Sequence, residues 1–196
     1  MKAPYLPYEE IAKIAEQVLK DNGRLDELPV CIEALVELDF GLRIIPERGL
    51  EDNSNVVGFL SLDLTSITVD EYVLERQPTR YRFTLAHELG HKVLHAKELG
   101  ELACQSPGQW KQHYYTLPEE DYGWFERQAY WFAGAILVPE QTLFSEYHGA
   151  VERLGGKVQM GELSDHSRLT VAGSVAKRFL VSTGVLTRRL DEVGLW

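Results

Sequence analysis

Arg82-Phe83-Thr84-Leu85-Ala86-His87-Glu88-Leu89-Gly90-His91-Lys92-Val93-Leu94-His95 carries an HExxH pattern at its centre, set in an apolar-periodic stretch. On an α-helix of about 3.6 residues per turn, positions four apart share a face, so the imidazoles of His87 and His91 can bind one metal ion. Glu88 then flanks the open coordination position. There its carboxylate can take a proton from a water whose pKa a bound ion lowers to about 7. This is hydrolytic chemistry at neutral pH, and it nominates a zinc peptidase. Three fixed letters at this His and Glu content arise by chance in about two of a hundred such chains, so the flanks decide. Leu85, Ala86, Leu89, Val93 and Leu94 supply the buried side of a helix, and Pro78-Thr79 supplies its start. Two histidines and a glutamate on such an apolar element favour a metal site over satisfied core histidines.

A tetrahedral catalytic zinc needs one more protein ligand and an open position. His95 lies about 6 Å further along the helix axis and roughly 40° around from His91, so it is poorly placed to join both histidines. The metzincin pattern HExxHxxGxxH also differs, because its third His follows a chain-reversing Gly. His95 is therefore expected to pack, or to give a hydrogen bond behind a ligand. Glu126 is the better candidate, on a following helix that reads Phe125-Glu126-Arg127-Gln128-Ala129-Tyr130-Trp131-Phe132-Ala133. Ala129 and Ala133 share its approximate face and let two helices approach closely enough for a short carboxylate to reach the ion. A first-turn glutamate is also favoured by the helix dipole, and Glu119, Glu120, Asp121 and His113 remain as fallback ligands.

Together these stretches, with Leu137-Val138-Pro139 beyond them, resemble the ImmA/IrrE metallo-endopeptidases. The likeness covers the chain from the strands near Val56 onward, and the joint occurrence of both helix motifs is more specific than HExxH alone. It implies an α+β, zincin-like fold, with His87, His91 and Glu126 matching the zinc ligands and Glu88 the general base. The family is associated with cleaving helix-turn-helix repressors, so the resemblance implies a transcription factor as substrate. One position departs: after Glu-x-x-Ala the family usually carries Asn or Asp, and this chain has Tyr130. The side chains that orient a ligating histidine are accordingly expected to differ, with Asp121 one candidate to substitute.

Upstream, residues 8–21 show a helical stripe of Ile11, Ile14, Ala15, Val18 and Leu19, ending at Asn22-Gly23. A second helix follows Pro29 through Val30, Ile32, Leu35, Val36 and Leu38, and stops before Gly41. Then the period shortens. Residues 42–46, 56–60 and 67–70 read as strands, so a small sheet precedes the HExxH helix and is expected to pack against it. The stretch between His95 and Asp121 has no clear period and reads as a long loop, in which Cys104, Tyr114 and Tyr115 fall. Residues 121–138 regain helical spacing up to Pro139, after which another helix runs to Gly149. We divide the chain into a zincin-like domain over residues 1–150 and a helical C-terminal extension over 151–196.

That extension resembles a helix-turn-helix. Val171 to Ser182 would form the first helix and turn, with Leu180 in place of the usual turn Gly. A DNA reader would present Thr183, Thr187 and Arg188 to bases, with Lys177 and Arg178 near phosphates. The net charge of −10 argues against broad binding to a phosphate backbone and suits a basic protein segment instead. We therefore read the helical pair as packed on the core or docking a substrate, with nucleic acid disfavoured.

At 196 residues the chain can bury one sizeable core, and its 44% hydrophobic content contains no apolar run of bilayer-spanning length. Cys31 and Cys104 lie far apart and outside any CxxC pattern, which argues against a disulfide framework or a thiolate zinc cluster. The N-terminal residues lack a signal-type apolar region, giving the expectation of a cytoplasmic protein. The leading reading is a Zn²⁺-dependent endopeptidase acting on a regulatory protein. The alternative is a non-catalytic, metal-stabilised regulatory partner that binds protein or DNA through its C-terminal helices.

Overall fold

The computed structural model describes residues 5–100, 119–153 and 164–196, with the side chains of 119–122 and Asp165 left aside. The architecture is α+β: helices pack against a three-stranded sheet, and one continuous apolar cluster runs from Ile11 to Leu190. Among the described residues no single helix is long and apolar enough to cross a membrane.

Helix α1 (Tyr8–Asp21) buries Ile11, Ala15 and Leu19, the four-residue spacing of one helical face. Next comes α2 (Ile32–Ala34), which runs directly into a π-helical turn over Leu35–Asp39. This turn corrects one expectation: Leu38, expected on the buried face, is 77% exposed. An i→i+5 turn holds more residues than an α-turn, so a residue three after the buried Leu35 is carried off the face.

Strands β1 (Arg43–Glu47), β2 (Gly58–Leu60) and β3 (Ser66–Asp70) are ordered β1-β3-β2. β3 pairs in parallel with β1, placing Ile44 beside Ile67, and antiparallel with β2, placing Leu60 beside Ile67. The middle strand is buried at all five positions, while β1 is mostly exposed. β2 is the edge that faces the HExxH helix. A Cβ on Gly58 would lie 2.6 Å from Thr84 Cγ2 and 2.9 Å from the Thr68 carbonyl oxygen, so only glycine lets strand and helix come this close.

Two short helices were not legible from periodicity: α3 (Leu50–Ser54) and α4 (Glu71–Arg76). Both hang on Asp70, whose carboxylate caps α4 by accepting from Val73 N and also accepts from Glu51 N in α3. Burial would raise the Asp70 pKa, but these backbone donors outweigh it and hold it below the ordinary value.

α5 (Pro78–Gly100) begins with proline at its first position, where the missing N–H costs nothing, and buries Tyr81, Leu85, Leu89, His95 and Leu99. It therefore runs five residues past His95, where a loop was expected, because Leu99 continues the buried face. The remainder of that expected loop, with Cys104, His113, Tyr114 and Tyr115, falls outside the described residues. α6 (Glu119–Leu137) then packs along α5, and α7 (Glu140–Arg153) follows Pro139 and continues past Gly149.

α8 (Asp165–Phe179) and α9 (Thr183–Glu192) meet at a bend of 106°, within the range of about 90–120° of helix-turn-helix units. Ser164 and Ser182 cap them, accepting from Ser167 N and Val185 N. Leu180 takes the left-handed conformation usually filled by Gly, at φ 51°. Arg82 of α5 secures this turn, donating to the carbonyls of Leu180 and, across the molecule, Val30.

Candidate metal centre

Two helices build the site, and a glycine sets their distance. A Cβ on Gly90, inside the HExxH motif, would lie 3.1 Å from Phe132 Cδ1 and 3.2 Å from both the Cα and the carbonyl oxygen of Ala129. Those last two are backbone atoms of α6 and cannot rotate away. Gly90 and Ala129 thus bring the helices together, as the small residues on the Glu126 face led us to expect.

At this closeness Glu126 reaches across to both histidines. Its Oε2 lies 3.2 Å from His87 Nε2 and its Oε1 lies 3.4 Å from His91 Nε2. The two histidine Nε2 atoms are themselves 3.2 Å apart. One donor atom from each of His87, His91 and Glu126 falls within 4.8 Å of the others, an arrangement that can hold a metal ion. Among the described residues this is the grouping of metal-ligating side chains that has such geometry.

The electrostatics follow from burial and pairing. Burial would push the Glu126 pKa up, but pairing with His87 and His91 outweighs it and holds the carboxylate well below its ordinary value. Burial would likewise lower His87, yet its bond to Glu126 and the negative charges of Glu88 and Glu126 leave its pKa raised. Glu88, 8% exposed, goes the other way: desolvation dominates and raises its pKa despite the adjacent histidines. Its Oε2 accepts a hydrogen bond of 2.9 Å from Leu60 N on the edge strand β2, which fixes the carboxylate beside the histidines. That backbone partner carries no side-chain signature, so sequence patterns could not have found it.

Behind His91 stands a second group. His91 Nδ1 is 3.1 Å from His95 Nδ1, and His95 Nε2 is 2.9 Å from Gln128 Oε1. His95 and Gln128 are both fully buried, and Phe125 packs edge-on against the His95 ring at 4.7 Å. Burial and the neighbouring His91 push the His95 pKa down to about 4. His95 is thus off the ligand cluster and hydrogen-bonded to one of its members, as its position four residues after His91 indicated. Gln128 escaped notice; its signal was its place two residues after Glu126, on the same short stretch of α6.

Tyr130, at the position where Asn or Asp was expected, packs its ring 4.8 Å from Phe83 and lies under the Arg188 guanidinium at 4.5 Å. Asp121 and its neighbours Glu119 and Glu120 lie on the first turn of α6, with side chains outside the described residues. Of the cations that a DNA-binding reading names, Arg188 and Arg178 are exposed but engaged by neighbouring side chains, and Lys177 is exposed. Arg188 stacks on Tyr130, Arg178 pairs with Glu146 at 2.6 Å, and Arg189, 1% exposed, donates to the Val138 carbonyl and pairs with Glu192.

This fold and this pairing of a histidine helix with a glutamate helix define a metallopeptidase-type domain. The chain belongs to the peptidase M78 family: the family model of the IrrE N-terminal-like domain matches residues 39–191. The match includes both site helices and the C-terminal pair. No curated protein matches the chain. Among solved structures, a Mycobacterium tuberculosis transcriptional regulator is similar at 15% identity with a TM-score of 0.57, over 92% of this chain and 55% of that one. The chain thus spans about half the length of that regulator, and at this identity the likeness speaks to fold alone.

Proposed function

We propose that the protein is a zinc-dependent endopeptidase that hydrolyses a peptide bond in a regulatory protein, with a helix-turn-helix transcriptional repressor as its substrate. His87, His91 and Glu126 would hold the zinc ion. The observation that carries this reading is the spacing of their donor atoms. Three ligands about 2.0–2.1 Å from a tetrahedral ion stand about 3.3 Å from one another, and the separations here are 3.2, 3.2 and 3.4 Å. Two imidazoles and a carboxylate are also the donor set of catalytic zinc in peptidases, with a fourth position left for water or substrate.

When bound, the ion supplies a Lewis acid that polarises a peptide carbonyl and acidifies water. The remaining work falls to the chain. Glu88 takes the proton of the attacking water and returns it to the leaving amine, and its raised pKa brings it nearer the range where both transfers are efficient. The Leu60 N–H holds one carboxylate oxygen still, and the other would take the proton. Support for a protein substrate comes from family membership. Support for a transcriptional setting comes from the family resemblance, and the name of the structurally similar regulator is compatible with it.

Offered its helix-turn-helix repressor, the zinc-loaded protein should cut it, giving a new amino terminus by mass spectrometry that disappears with a chelator. Stoichiometric binding with no product at any time would favour the non-catalytic partner instead.

A further inference from the structure

His91 can ligate a metal through Nε2 only if that nitrogen presents a lone pair, and a neutral imidazole carries its single proton on one nitrogen or the other. Two residues bear on which one. Gln128 presents its carbonyl oxygen to His95 Nε2 at 2.9 Å, and a carbonyl oxygen can only accept. The proton of His95 therefore sits on Nε2. Its Nδ1 is left as an acceptor, 3.1 Å from His91 Nδ1, which must then be the donor. Both Nδ1 atoms face each other at 3.1 Å in a buried pocket, too close to admit a third group, so a proton on both or on neither would leave like groups opposed.

We infer that Gln128 and His95 form a hydrogen-bonded relay that locks His91 in its Nδ1–H form, so that the lone pair of Nε2 points at Glu126 and His87. Both are positioning residues, acting through His91. The inference rests on the metal reading for the purpose of the lock, though the lock itself stands on geometry. The relay crosses from α5 to α6 at Gln128, two residues from Glu126, so one stretch of α6 brings both a proposed ligand and the group that orients another. Phe125, on that same stretch, holds the His95 ring edge-on and keeps it from turning. Histidine ligands characteristically donate their second nitrogen to a carboxylate, a carbonyl or water. Here another histidine, itself oriented by an amide, takes that place. This arrangement also accommodates Tyr130, whose ring is committed to Phe83 and Arg188.

The test joins a spectroscopic readout to a binding one. Long-range ¹H–¹⁵N NMR of the full-length, metal-free protein at pH 8 reports the tautomer of His91 directly, in wild type and in Gln128→Met, which keeps the volume and removes the acceptor. Zinc affinity of both is measured by competition with a chromophoric chelator. The relay predicts the Nδ1–H form in wild type, a shift toward Nε2–H in Gln128→Met, and zinc binding weakened about 10–100-fold in the variant. An Nε2–H form in the wild-type protein overturns the relay, and that result does not depend on whether the variant folds. So does a Gln128→Met protein with unchanged tautomer and unchanged affinity. Wild-type protein that shows the Nδ1–H form but does not bind zinc supports the lock and overturns the metal reading, so the two failures are distinguishable.

Discussion

The α5–α6 pair and the α8–α9 pair carry motifs of comparable clarity in the sequence, and they differ in what their polar groups do. On α5 and α6, His87, His91 and Glu126 bring donor atoms within 4.8 Å of one another, Glu88 is held beside them by Leu60 N, and the groups behind them, His95 and Gln128, are fully buried. On α8 and α9 the helix-turn-helix shape is present in its 106° bend and its serine caps, but Arg189 is buried, and Arg178 and Arg188, though exposed, are engaged by neighbouring side chains. Arg189 holds the Val138 carbonyl, Arg188 covers Tyr130 and Arg178 holds Glu146. A motif fixes the shape of a segment. Function depends on whether its charged groups remain available or have been spent on packing.

This comparison can be broken from either side. The largest effect is expected from Gly90→Ala. The added methyl meets backbone of α6, so overpacking should cost about 3 kcal/mol in stability. It should also push Glu126 away from the histidines, and chelator competition should report weaker zinc binding alongside the lower Tm. Arg189→Met should lower stability by about 1–3 kcal/mol, because the Val138 carbonyl loses its donor inside the core. Zinc affinity should be unchanged. If Arg189→Met weakened zinc binding as much as Gly90→Ala did, the two regions would not be separate in function as drawn here.

The smallest effect is one of pH. His87 has a raised pKa in the metal-free protein, so its pairing with Glu126 contributes stability that is fully present below the ordinary histidine value of 6.5 and is lost as pH rises through the higher folded value. Zinc binding requires the neutral ring and should strengthen over the same rise. In thermal melts from pH 6 to 9 the increment given by zinc should therefore grow, while the metal-free Tm also carries the opposite contribution of His95, whose lowered pKa adds stability as pH rises through 6.5. An increment that shrinks with pH would argue against His87 as a ligand.

Much of the site was legible because its residues recur at helical spacing. His87 and His91 are four apart on a helix whose start is marked by Pro78, and Glu126 sits among the alanines that allow the helices to meet. The parts that were hidden depend on groups with no period. Leu60 N reaches Glu88 through the register of a strand edge, Asp70 organises two short helices at once, and the π-helical turn moves Leu38 outward. Gln128 looked like an ordinary helix residue until its fully buried amide was placed beside His95. The turn at Leu180 was readable as a departure from glycine, but the Arg82 bond that holds it joins residues 98 apart and could come only from the fold.

The proposed function makes Glu88 the general base of a metal site assembled by two helices. The rate at which zinc-loaded Glu88→Gln cuts the regulator, with bound zinc measured in the same sample, decides whether it is. Glutamine keeps the size of the side chain and removes its capacity to take a proton. The expected result is full zinc occupancy with cleavage reduced about 10²–10⁴-fold. Cleavage at the wild-type rate with zinc still bound would contradict the account.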